Sequence, residues 1–453
     1  MSEHSVFSSD SSQAVNSPLS KSRRLLIVGA VIVVVVALVA VVKTSGGVGG
    51  SRSGTIASNL GENSRLAAGG DHVCTIRSDS TVWCWGGNTR GELGVENTYL
   101  ISLDVDSLLT VPTPVQVSPS QLSDVRSLAA GLDHTCALLN DGRVKCWGHN
   151  AYGQTNPSTA GNFSQGPSFV TVPWYNNPQV PLENVKAIAA GYNHTCALLN
   201  DGRVKCWGNN NKGQLGQGTL SLPTQVLLVS STETYSLENV TAISAGGDHT
   251  CALLSDTSVK CWGDGEFGAL GNGELEDSSL PVSVQKSLTD ESNLVDVASL
   301  AVGPVHACIL NTSGKASCWG SNVWGQLGNN PLAGTTAFSL KKAPVEVDSD
   351  DEFSNIATST FTTCAILKST KAVQCWGKNN YGQVGDGTSI NRQQPVNVSG
   401  DGNYNVELAL GIDLFSCSLA STEAIRCWGH NNKGQLGDGT KSGRNAAGFV
   451  IFP

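Results

Sequence analysis

The sequence has few stretches in which apolar residues recur with the 3.6-residue period of an amphipathic helix. Residues that favour turns are abundant instead: the 453 residues include 51 Gly and 16 Pro, and Asn and Asp recur beside them. These residue types stabilise turns, each through its own restriction or freedom of the backbone. The composition therefore predicts short β-strands joined by tight turns rather than an α-helical fold.

Motifs that would identify an enzyme are also missing. The sequence contains no nucleophile elbow, no P-loop and no helix with a paired-histidine zinc motif. The segment Gly263–Gly268 matches the dinucleotide-binding pattern, but its counterpart Gly208–Gly213 indicates that it is one copy of a repeat. No strand–helix–strand unit surrounds it, as a dinucleotide site requires. We therefore expect no catalytic residue, no cofactor and no metal.

Basic clusters are the third feature that the sequence lacks. The chain has 28 Lys and Arg against 37 Asp and Glu, a net charge of −9. Four basic and two acidic residues lie in the first 43 positions, so the remainder has 24 basic and 35 acidic residues, or −11. Nucleic-acid binding depends on neutralising phosphates with Lys and Arg. This acidic chain therefore predicts no nucleic-acid partner.

One short phrase fills the chain and is present seven times. The clearest copy runs from Ala129 to Gly148, and a nearly identical one runs from Ala189 to Gly208. Each copy contains two cysteines, and the seven pairs use all 14 cysteines of the chain. The first cysteines of successive copies are 62, 60, 55, 57, 56 and 53 residues apart. A unit of this length accommodates about four strands of ~5–6 residues with their turns.

Four-stranded units arranged radially form a β-propeller, typically of ~4–8 blades. In one unit we predict an inner strand at Val185–Gly191, a second at His194–Leu199 and a third at Arg203–Trp207, with a three-residue turn ending at Gly202. A further segment closes each unit, often with the proline that suits an edge strand. The predicted closing segments are Pro114-Val115, Pro178–Val180, Leu222–Val226, Pro281-Val282, Pro344-Val345, Pro395-Val396 and Phe449–Phe452. The predicted fold class is all-β, a seven-bladed β-propeller preceded by a single transmembrane helix.

The phrase Ala-Ala-Gly-x-x-His-Thr-Cys-Ala-Leu-Leu-x-Asp-Gly-x-Val-x-Cys-Trp-Gly-x-Asn-x-x-Gly-Gln-Leu-Gly resembles the regulator-of-chromosome-condensation repeat. The resemblance covers roughly Arg65 to Pro453. It implies the seven-bladed propeller of that family, here in a disulfide-rich, exported subtype. Copies six and seven depart from the phrase, with Thr362 and Phe415 in place of His and Ser359 in place of Gly. We expect a looser inner turn in those two blades.

The cysteines predict one disulfide in every blade. In a hairpin that turns at Asp141, Cys136 and Cys146 are opposite each other, with Cα atoms about 4.5–5.5 Å apart and within disulfide range. In the sixth pair, a four-residue loop at Ser369-Thr370 would absorb one extra residue. The predicted bonds are Cys74–Cys84, Cys136–Cys146, Cys196–Cys206, Cys251–Cys261, Cys308–Cys318, Cys364–Cys375 and Cys417–Cys427. The alternatives are buried free thiols and, less favoured by the spacing, zinc ligands.

Leu25–Val42 is an uncharged apolar run of 18 residues. As a helix it would span about 27 Å, close to the ~30 Å hydrocarbon core of a bilayer. Lys21, Arg23 and Arg24 precede it and only Lys43 follows, so the positive-inside rule places the N-terminus in the cytoplasm. Disulfides independently indicate an oxidising compartment for the propeller.

The chain is therefore divided into four predicted segments. Residues 1–24 form a Ser-rich cytoplasmic tail, 25–42 a transmembrane signal-anchor, 43–64 a Gly/Ser linker and 65–453 the propeller. This makes the chain a single-pass membrane protein with an extracytoplasmic propeller. The alternative is a cleaved signal peptide, in which case the propeller is secreted.

One position of the repeat is always large and either aromatic or basic. It lies six residues after the second cysteine, just before a glycine, in a loop between strands. Because the copies are equivalent, we expect these side chains on one rim, and aromatic residues and Arg are typical of protein interfaces. The predicted interaction rim is Arg90, Tyr152, Lys212, Phe267, Trp324, Tyr381 and Lys433. The alternative is that each side chain merely covers its own blade.

Other recurring residues are assigned to the scaffold. Five histidines stand two residues before a first cysteine: His72, His134, His194, His249 and His306. A metal-binding ring is one hypothesis, but we favour the interpretation that each histidine fastens a turn inside its own blade. Trp147, Trp207 and their counterparts are interpreted as blade-packing residues, as are the Gly-Gln-Leu-Gly turns. The insertions Glu96–Asp106 and Asn156–Asn177 form a second candidate surface.

These features predict a membrane-anchored, extracytoplasmic β-propeller that acts as a non-catalytic protein-interaction module. We expect a monomer with an unidentified protein or glycan at the rim. The alternatives are a carbohydrate-binding or inhibitor-like surface protein, an enzyme that uses the rim aromatics, and a structural protein without a ligand. The family resemblance also implies guanine-nucleotide exchange, which a nuclear relative performs, but export, disulfides and acidic charge argue against it. A secreted relative that inhibits β-lactamases is an analogy only.

Overall fold

The structure is a computed structural model that describes residues 63–95, 110–118, 120–161, 163–174, 177–221, 227–230, 236–329, 340–412 and 414–453. The predicted tail, the transmembrane segment Leu25–Val42 and nearly all of the linker lie outside the described residues. Within the described ranges, no helix is long and apolar enough to cross a bilayer. The membrane anchor stays a prediction from the sequence.

Seven four-stranded antiparallel sheets follow one another along the chain, and each is built from four consecutive strands. Blades 1 to 4 comprise β1 (Leu66–Ala68), β2 (His72–Ile76), β3 (Val82–Gly87) and β4 (Thr110–Gln116); β5 (Val125–Ala130), β6 (His134–Leu139), β7 (Val144–Gly148) and β8 (Ser164–Phe169); β11 (Val185–Ala190), β12 (His194–Leu199), β13 (Val204–Gly208) and β14 (Leu227–Leu228); and β15 (Val240–Gly246), β16 (His249–Leu254), β17 (Val259–Gly263) and β18 (Ser278–Ser283).

Blades 5 to 7 repeat the same order. They comprise β19 (Val297–Val302), β20 (His306–Asn311), β21 (Ala316–Gly320) and β22 (Lys341–Glu346); β23 (Phe353–Thr358), β24 (Thr362–Leu367), β25 (Val373–Gly377) and β26 (Arg392–Asn397); and β27 (Asn405–Gly411), β28 (Phe415–Ala420), β29 (Ile425–Gly429) and β30 (Arg444–Phe449). The first strand of each blade packs against the first strands of its two neighbours, and β1 contacts both β5 and β27. The predicted seven-bladed β-propeller is confirmed.

Blade 3 shows why these residues form these strands. The small residues Ala187, Ala189 and Ala190 fill the inner strand, where blades converge, and all three are fully buried. The predicted first three strands agree with β11, β12 and β13 to within one residue at each end. Gly202 ends the turn between β12 and β13 with a φ of +82°, a backbone conformation that only glycine adopts easily.

All seven predicted disulfides are present and account for every cysteine of the chain. The paired residues are directly opposite in register, as Cys196 and Cys206 are, with Cα atoms 4.0–4.1 Å apart throughout. The extra residue of the sixth pair is absorbed by the four-residue loop 368–371, closed by a hydrogen bond from the Leu367 N–H to the Ala372 carbonyl. The free-thiol and zinc alternatives are therefore wrong.

The predicted closing segment is wrong in blade 2, and in blade 7 only Phe449 of the predicted Phe449–Phe452 lies in the fourth strand, β30. Pro178–Val180 does not complete blade 2, because it lies in β10 (Asn177–Pro181), which pairs with β9 (Thr171–Trp174) in a separate two-stranded hairpin of the described chain. The fourth strand of blade 2 is β8, in which Ser168 stands opposite Cys146. The insertion supplied a second candidate with Pro and Val, and pattern alone does not distinguish the two. In blade 3, the predicted closing segment Leu222–Val226 lies outside the described residues. The fourth strand of that blade, β14, begins directly after it.

A repeated tryptophan joins each blade to the preceding one. Trp147 of blade 2 donates its Nε1–H to the Glu92 carbonyl of blade 1, at 2.7 Å. A Cβ atom added to Gly94 would lie 2.7 Å from the same indole nitrogen. Gly94 ends the Gly-Glu-Leu-Gly turn of blade 1, the counterpart of the Gly-Gln-Leu-Gly turns, and leaves room for the ring. All seven of these tryptophans are fully buried. Their interpretation as blade-packing residues is confirmed.

The ring closes at the seam between blades 7 and 1 without exchange of a strand. Trp85 donates to the Gln435 carbonyl at 3.0 Å, the same bond that joins the other blades. Each sheet of the described chain consists of consecutive strands, and β30 stays in blade 7. The Glu407 carboxylate adds a contact across this seam by accepting hydrogen bonds from Ser64 Oγ and the Leu66 N–H, both at 2.8 Å.

The histidines also join blades, and here the predicted role needs correction. His134 Nε2 lies 3.0 Å from Thr195 Oγ1 of the next blade, and His194 Nε2 lies 2.8 Å from Thr250 Oγ1. Because the Thr195 hydroxyl donates to the Gln154 carbonyl, it accepts from the imidazole N–H. The bonds therefore cross the seam instead of fastening a turn inside one blade. Repetition in the sequence cannot distinguish these two geometries.

The inner turn explains why blade 6 departs from the repeat. In blade 2, a Cβ atom added to Gly131 would lie 2.0 Å from the His134 ring, so only glycine fits. In blade 6, Thr362 occupies the position of His134 and Ser359 that of Gly131. Because threonine is smaller than histidine, there is room for the Ser359 side chain. The Ser359 N–H still bonds to the Thr362 carbonyl at 2.8 Å, so this turn is closed and the expected loosening is absent. In blade 7 the Phe415 ring lies over Gly411 and is 1% exposed.

Candidate interaction rim

Two sets of loops emerge on one face of the propeller. Because the four strands of a blade are consecutive and antiparallel, the turn between its first and second strands lies on the same face as the loop between its third and fourth. We call the second set the outer loops and this side the rim face. Every predicted rim residue lies in an outer loop, so the structure brings all seven to one face.

The outer loops have a common backbone frame. In blade 2 the Tyr152 N–H donates to Gln154 Oε1 at 3.0 Å, and the intervening Gly153 has a φ of +81°. The Gln154 Nε2 amide then reaches Asn193 Oδ1 of blade 3 at 3.2 Å. The same bond from the rim residue's N–H recurs at Lys212, Trp324, Tyr381 and Lys433. The glutamine fixes the rim residue's backbone and leaves its side chain to the surface.

Phe267 departs from this frame. Blade 4 has Ala269 at the position of the glutamine, so no side-chain oxygen is present there to hold the rim residue's N–H. Phe267 adopts a φ of +63°, a left-handed conformation that is uncommon for a large side chain. The segment Glu266–Gly268 forms a short 3₁₀ turn.

None of the seven rim side chains is buried. Tyr381 is 50% exposed and Tyr152 is 36% exposed. Arg90 is also exposed, whereas Lys212, Phe267, Trp324 and Lys433 are half-buried. The prediction that they share one surface agrees with the structure, and their role in binding stays a prediction.

Around blades 1 and 2, the rim residues contact Phe163 of the insertion Asn156–Asn177 and His149, which the sequence did not single out. The guanidinium of Arg90 lies 5.3 Å from the ring centroid of Phe163. His149 packs between Phe163, at 5.8 Å between ring centroids, and Tyr152, at 6.3 Å. Beneath them Glu92 replaces the glutamine of the common frame and is buried. Burial, with the nearby Asp133 carboxylate, raises the pKa of Glu92 to about 7.

Around blades 3 and 4 the rim is acidic. The ammonium of Lys212 forms ion pairs with Asp264 at 3.4 Å and with Asp277 at 3.1 Å. Gln214 donates to Asp248 at 2.7 Å across the seam. Burial and the charge of Asp264 raise the pKa of Asp248 to about 6. The charge of Lys212 is therefore already paired with carboxylates of the protein itself.

Around blades 5 to 7 the rim is aromatic and basic. The Lys378 ammonium lies 5.1 Å from the ring centroid of Trp324 and 5.2 Å from that of Phe361. Tyr381 stacks obliquely on His430, with ring centroids 4.8 Å apart. The sequence-based rim missed Lys378, Phe361 and His430. Lys378 and His430 occupy the same position of the repeat, directly after the glycine that ends the third strand. This shared position is the sequence pattern from which both could have been predicted as rim residues.

The recurring histidines are the residues for which the sequence left a metal-binding ring as the alternative. In the described part of the chain, no three His, Cys, Asp or Glu side chains converge closely enough to hold a metal ion. Burial lowers the pKa of His72, His194 and His306 to about 3, so they are neutral at physiological pH. Their Nε2 atoms are committed to hydrogen bonds across the seams.

The second candidate surface is described only in part. Glu96–Asp106 lies outside the described residues. In Asn156–Asn177, Pro157–Thr159 forms a 3₁₀ turn capped by the Asn156 side chain, and β8 and β9 follow. Asn150 Nδ2 anchors the start of this insertion by donating to the Asn156 carbonyl at 3.1 Å. The Trp174 side chain and all of Tyr175 are outside the described part.

Comparison with known proteins agrees with the fold and the repeat. The RCC1-like domain matches residues 161–448, and the regulator of chromosome condensation (RCC1) repeat matches residues 64–92, 79–138 and 125–154. The chain belongs to the RCC1-like domain family. This RCC1-like domain is 28% identical over 384 residues to the ultraviolet-B receptor UVR8 of Arabidopsis thaliana, covering 84% of this chain and 80% of the receptor.

Two further similarities extend the comparison. The chain is 27% identical over 375 residues to the human E3 ubiquitin-protein ligase HERC2, which covers 82% of this chain but 7% of HERC2. The activity in that name thus belongs to a far longer protein. The crystal structure of human WBSCR16 superposes with a TM-score of 0.66 at 19% identity, covering 82% of this RCC1-like domain and 94% of that chain, and supports the fold alone.

Proposed function

We propose that the chain is a monomeric, membrane-anchored display module whose propeller lies outside the cytoplasm, binds another protein through the rim face and catalyses no reaction. The observation that carries the proposal is a disulfide in every blade, seven in all. Such bonds persist in oxidising compartments and are rare in the cytosol. The apolar run Leu25–Val42 with its preceding basic residues is consistent with export.

Binding rather than catalysis is favoured by where the polar groups of the repeat go. The repeat glutamines hold the frame of the outer loops, and four of the five repeat histidines, His72, His134, His194 and His306, bond across the seams. The rim face offers exposed aromatic and basic side chains on a rigid scaffold, a composition that protein interfaces concentrate.

The compartment is tested by the redox state of the chain in its native host. Intact cells are treated with an alkylating reagent, lysed in denaturant, and the full chain is analysed by mass spectrometry with and without reduction. We expect all 14 cysteines to be alkylated only after reduction, and protease added to intact cells to remove the propeller. Free thiols in most copies, or complete protection from protease, would exclude the display module.

The binding role is tested with the full chain on the cell surface. Chemical cross-linking from the rim face should capture a protein partner. Replacing Phe267 and Trp324 together with alanine should reduce capture about tenfold or more if the rim carries the interface. L275A is the control for nonspecific loss of apolar surface, because Leu275 is exposed on the acidic side of the same face. This variant should capture the partner as well as the unaltered chain does. Unchanged capture by the double variant would place the interface elsewhere.

Carbohydrate binding is the second candidate function. Tyr152, Phe267, Trp324 and Tyr381 present aromatic rings on one face, and aromatic faces stack on sugars. Tyr381 is 50% exposed, so its ring is accessible to a sugar. A glycan array probed with the disulfide-bonded chain distinguishes the candidates, because a sugar receptor binds a defined glycan without any protein partner. Guanine-nucleotide exchange, implied by the family, is disfavoured by the same disulfides.

A further inference from the structure

Charge on the rim face is divided between two sides. The outer loops of blades 3 and 4, residues 209–221 and 264–277, contain one basic residue, Lys212, and five acidic ones. The described parts of the outer loops of blades 5 to 7 with the starts of their fourth strands, residues 321–329, 340–342, 378–392 and 430–444, have the opposite balance. They contain seven basic residues and two acidic ones: Lys341, Lys342, Lys378, Arg392, Lys433, Lys441 and Arg444 against Asp386 and Asp438.

This basic arc, as we call residues 321–329, 340–342, 378–392 and 430–444, has a net positive charge, whereas the whole chain carries −9. Both of its carboxylates are neutralised internally. Asp386 accepts from Arg392 Nε at 2.6 Å, and Asp438 accepts from Arg444 at 2.8 Å. Between β27 and β28 the sequence has one further acidic residue, Asp413, which lies outside the described residues. The lysines of the arc are thus the dominant charge on this side of the rim face.

Lys378 stands at the centre of the arc. Its ammonium lies between the Trp324 and Phe361 rings, at 5.1 and 5.2 Å from their centroids, and no ion pair is formed with a carboxylate of the described residues. This differs from Lys212 on the acidic side, which already holds two aspartates. A lysine held by two aromatic faces is positioned in advance and retains hydrogen-bond donors for an external carboxylate.

Exposed apolar side chains belong to the same loops. Val323, Leu340, Tyr381 and Ile390 are 39%, 37%, 50% and 62% exposed. A polymer of sulfated sugar or phosphate would match the charge and leave these side chains without an apolar partner. A polypeptide that alternates carboxylates with apolar residues satisfies both, because burial of apolar surface supplies affinity and the lysines fix the register.

We propose that the basic arc on blades 5 to 7 binds an acidic, apolar-containing peptide segment of a partner protein. Lys378 and Lys433 pair with its carboxylates, while Trp324, Tyr381 and Ile390 cover its apolar side chains. This inference rests on the proposed function, since it names the chemistry of the partner and the part of the rim face that holds it.

The test measures binding of a fluorescent decapeptide of alternating glutamate and leucine to the full, disulfide-bonded chain by anisotropy. The comparison probes are the same peptide with glutamine for glutamate, a sulfated oligosaccharide and a single-stranded DNA. K378E and Y381A remove the central charge and an apolar contact. K368E is the matched control, because Lys368 is 41% exposed on the hairpin of the same blade, on the opposite face.

We expect K378E to weaken peptide binding about tenfold or more and Y381A about threefold or more, with K368E within about twofold of the unaltered chain. The glutamine peptide should bind about tenfold more weakly, and raised salt should weaken the glutamate peptide. Equal loss in K378E and K368E would overturn the inference, as would tighter binding of the sulfated sugar or the DNA. Melting curves of each variant identify a loss that comes from unfolding.

Failure of this inference is distinguishable from failure of the proposed function. If the displayed chain captures a partner and K378E captures it equally well, the interaction module stands and the acidic-segment inference fails. If the thiols are free or the propeller is protected from external protease, the display module fails, whatever the peptide result.

Discussion

His72 of blade 1 lies 2.8 Å from Thr135 of blade 2, Nε2 to Oγ1, and the pair spans the seam between the two sheets. The same contact recurs in three other seams of the described chain. His249 breaks the pattern: both of its ring nitrogens are buried without a partner. Blade 5 has Ala307 at the position that threonine occupies in blades 2, 3, 4 and 6.

Restoring the threonine should therefore stabilise the protein. A307T would place a hydroxyl where the His249 N–H can donate to it, and we expect an increase of about 1 kcal/mol in the free energy of unfolding. Chemical denaturation of the full chain measures the change. A307V is the control, since valine has the shape of threonine without the hydroxyl. Equal effects of the two variants would show that packing, not the hydrogen bond, is responsible.

The buried histidines predict acid sensitivity. Burial lowers the pKa of His249 from 6.5 to about 4, so below pH 6.5 the unfolded state binds a proton that the folded state does not. Stability is therefore lost as pH falls from 6.5 towards 4. H249F removes this group and copies blade 7, where Phe415 occupies the same position.

For H249F we expect the loss of unfolding free energy between pH 7 and pH 4 to shrink by roughly 3 kcal/mol. Denaturant titrations at several pH values measure it. H194F serves as the comparison, because it also deletes the hydrogen bond to Thr250 and should lower stability at pH 7. An unchanged pH slope in H249F would mean that His249 titrates normally in the folded protein.

Glu92 predicts the opposite pH trend. Burial raises its pKa to about 7, so the folded state holds the proton more tightly than the unfolded state. The protonated Glu92 therefore contributes to the free energy of unfolding below pH 4.5, and this contribution is lost as the pH rises through 7. E92Q supplies the glutamine found at this position in five other blades.

We expect E92Q to raise the unfolding free energy by about 2–3 kcal/mol at pH 8 and by almost nothing at pH 4.5. Thermal or chemical denaturation at the two pH values is sufficient. E266Q, at an exposed glutamate on the same face, should change neither value. A uniform gain at both pH values would indicate improved hydrogen bonding instead of removal of a buried charge.

The disulfides should each add a local increment of stability. Replacing Cys136 and Cys146 together with alanine opens a loop of sequence separation 10 and should cost about 2–3 kcal/mol in the chain-entropy account. The melting temperature in non-reducing buffer measures this. The unaltered chain under reductant should melt lower still, because all seven bonds are then open. A melting temperature insensitive to reductant would contradict a stabilising role.

Ring closure makes a quantitative prediction about two seams. Trp85 and Trp207 donate equivalent bonds, at 3.0 and 2.9 Å, although one joins the last blade to the first. W85F and W207F should therefore lose similar free energies of unfolding, about 1 kcal/mol or somewhat more. Denaturation of the two variants compares the seams directly. A much smaller cost for W85F would mean that the ring opens there before the rest of the protein unfolds.

Much of the fold was predictable because the repeat imposes it seven times. Local chemistry was sufficient for the hairpin around Gly202 and for the pairing of Cys196 with Cys206, since both depend on residues within one short segment. The closing strand of blade 2 was mispredicted because an insertion offered a second segment with the same pattern, Pro178–Val180. Which segment pairs with β7 is decided by competition for one sheet edge.

The candidate rim was predictable in position but not in chemistry. Equivalent spacing placed Tyr152 and Tyr381 on one face, and the structure agrees. The sequence gives no direct sign that Lys378 lies between Trp324, 54 positions earlier, and Phe361. Adjacent blades bring these residues together, so a basic arc forms in a chain that is acidic as a whole.

By itself, the sequence determined the number of blades, the strands of each hairpin and the pairing of its cysteines, because these depend on turn chemistry and strand register over about twenty residues. Only the tertiary structure decided what crosses the seams: His194 bonds to Thr250 of the next blade, and Trp85 closes the ring against Gln435. Such contacts join residues that are dozens to hundreds of positions apart, and their geometry is set by how neighbouring sheets pack.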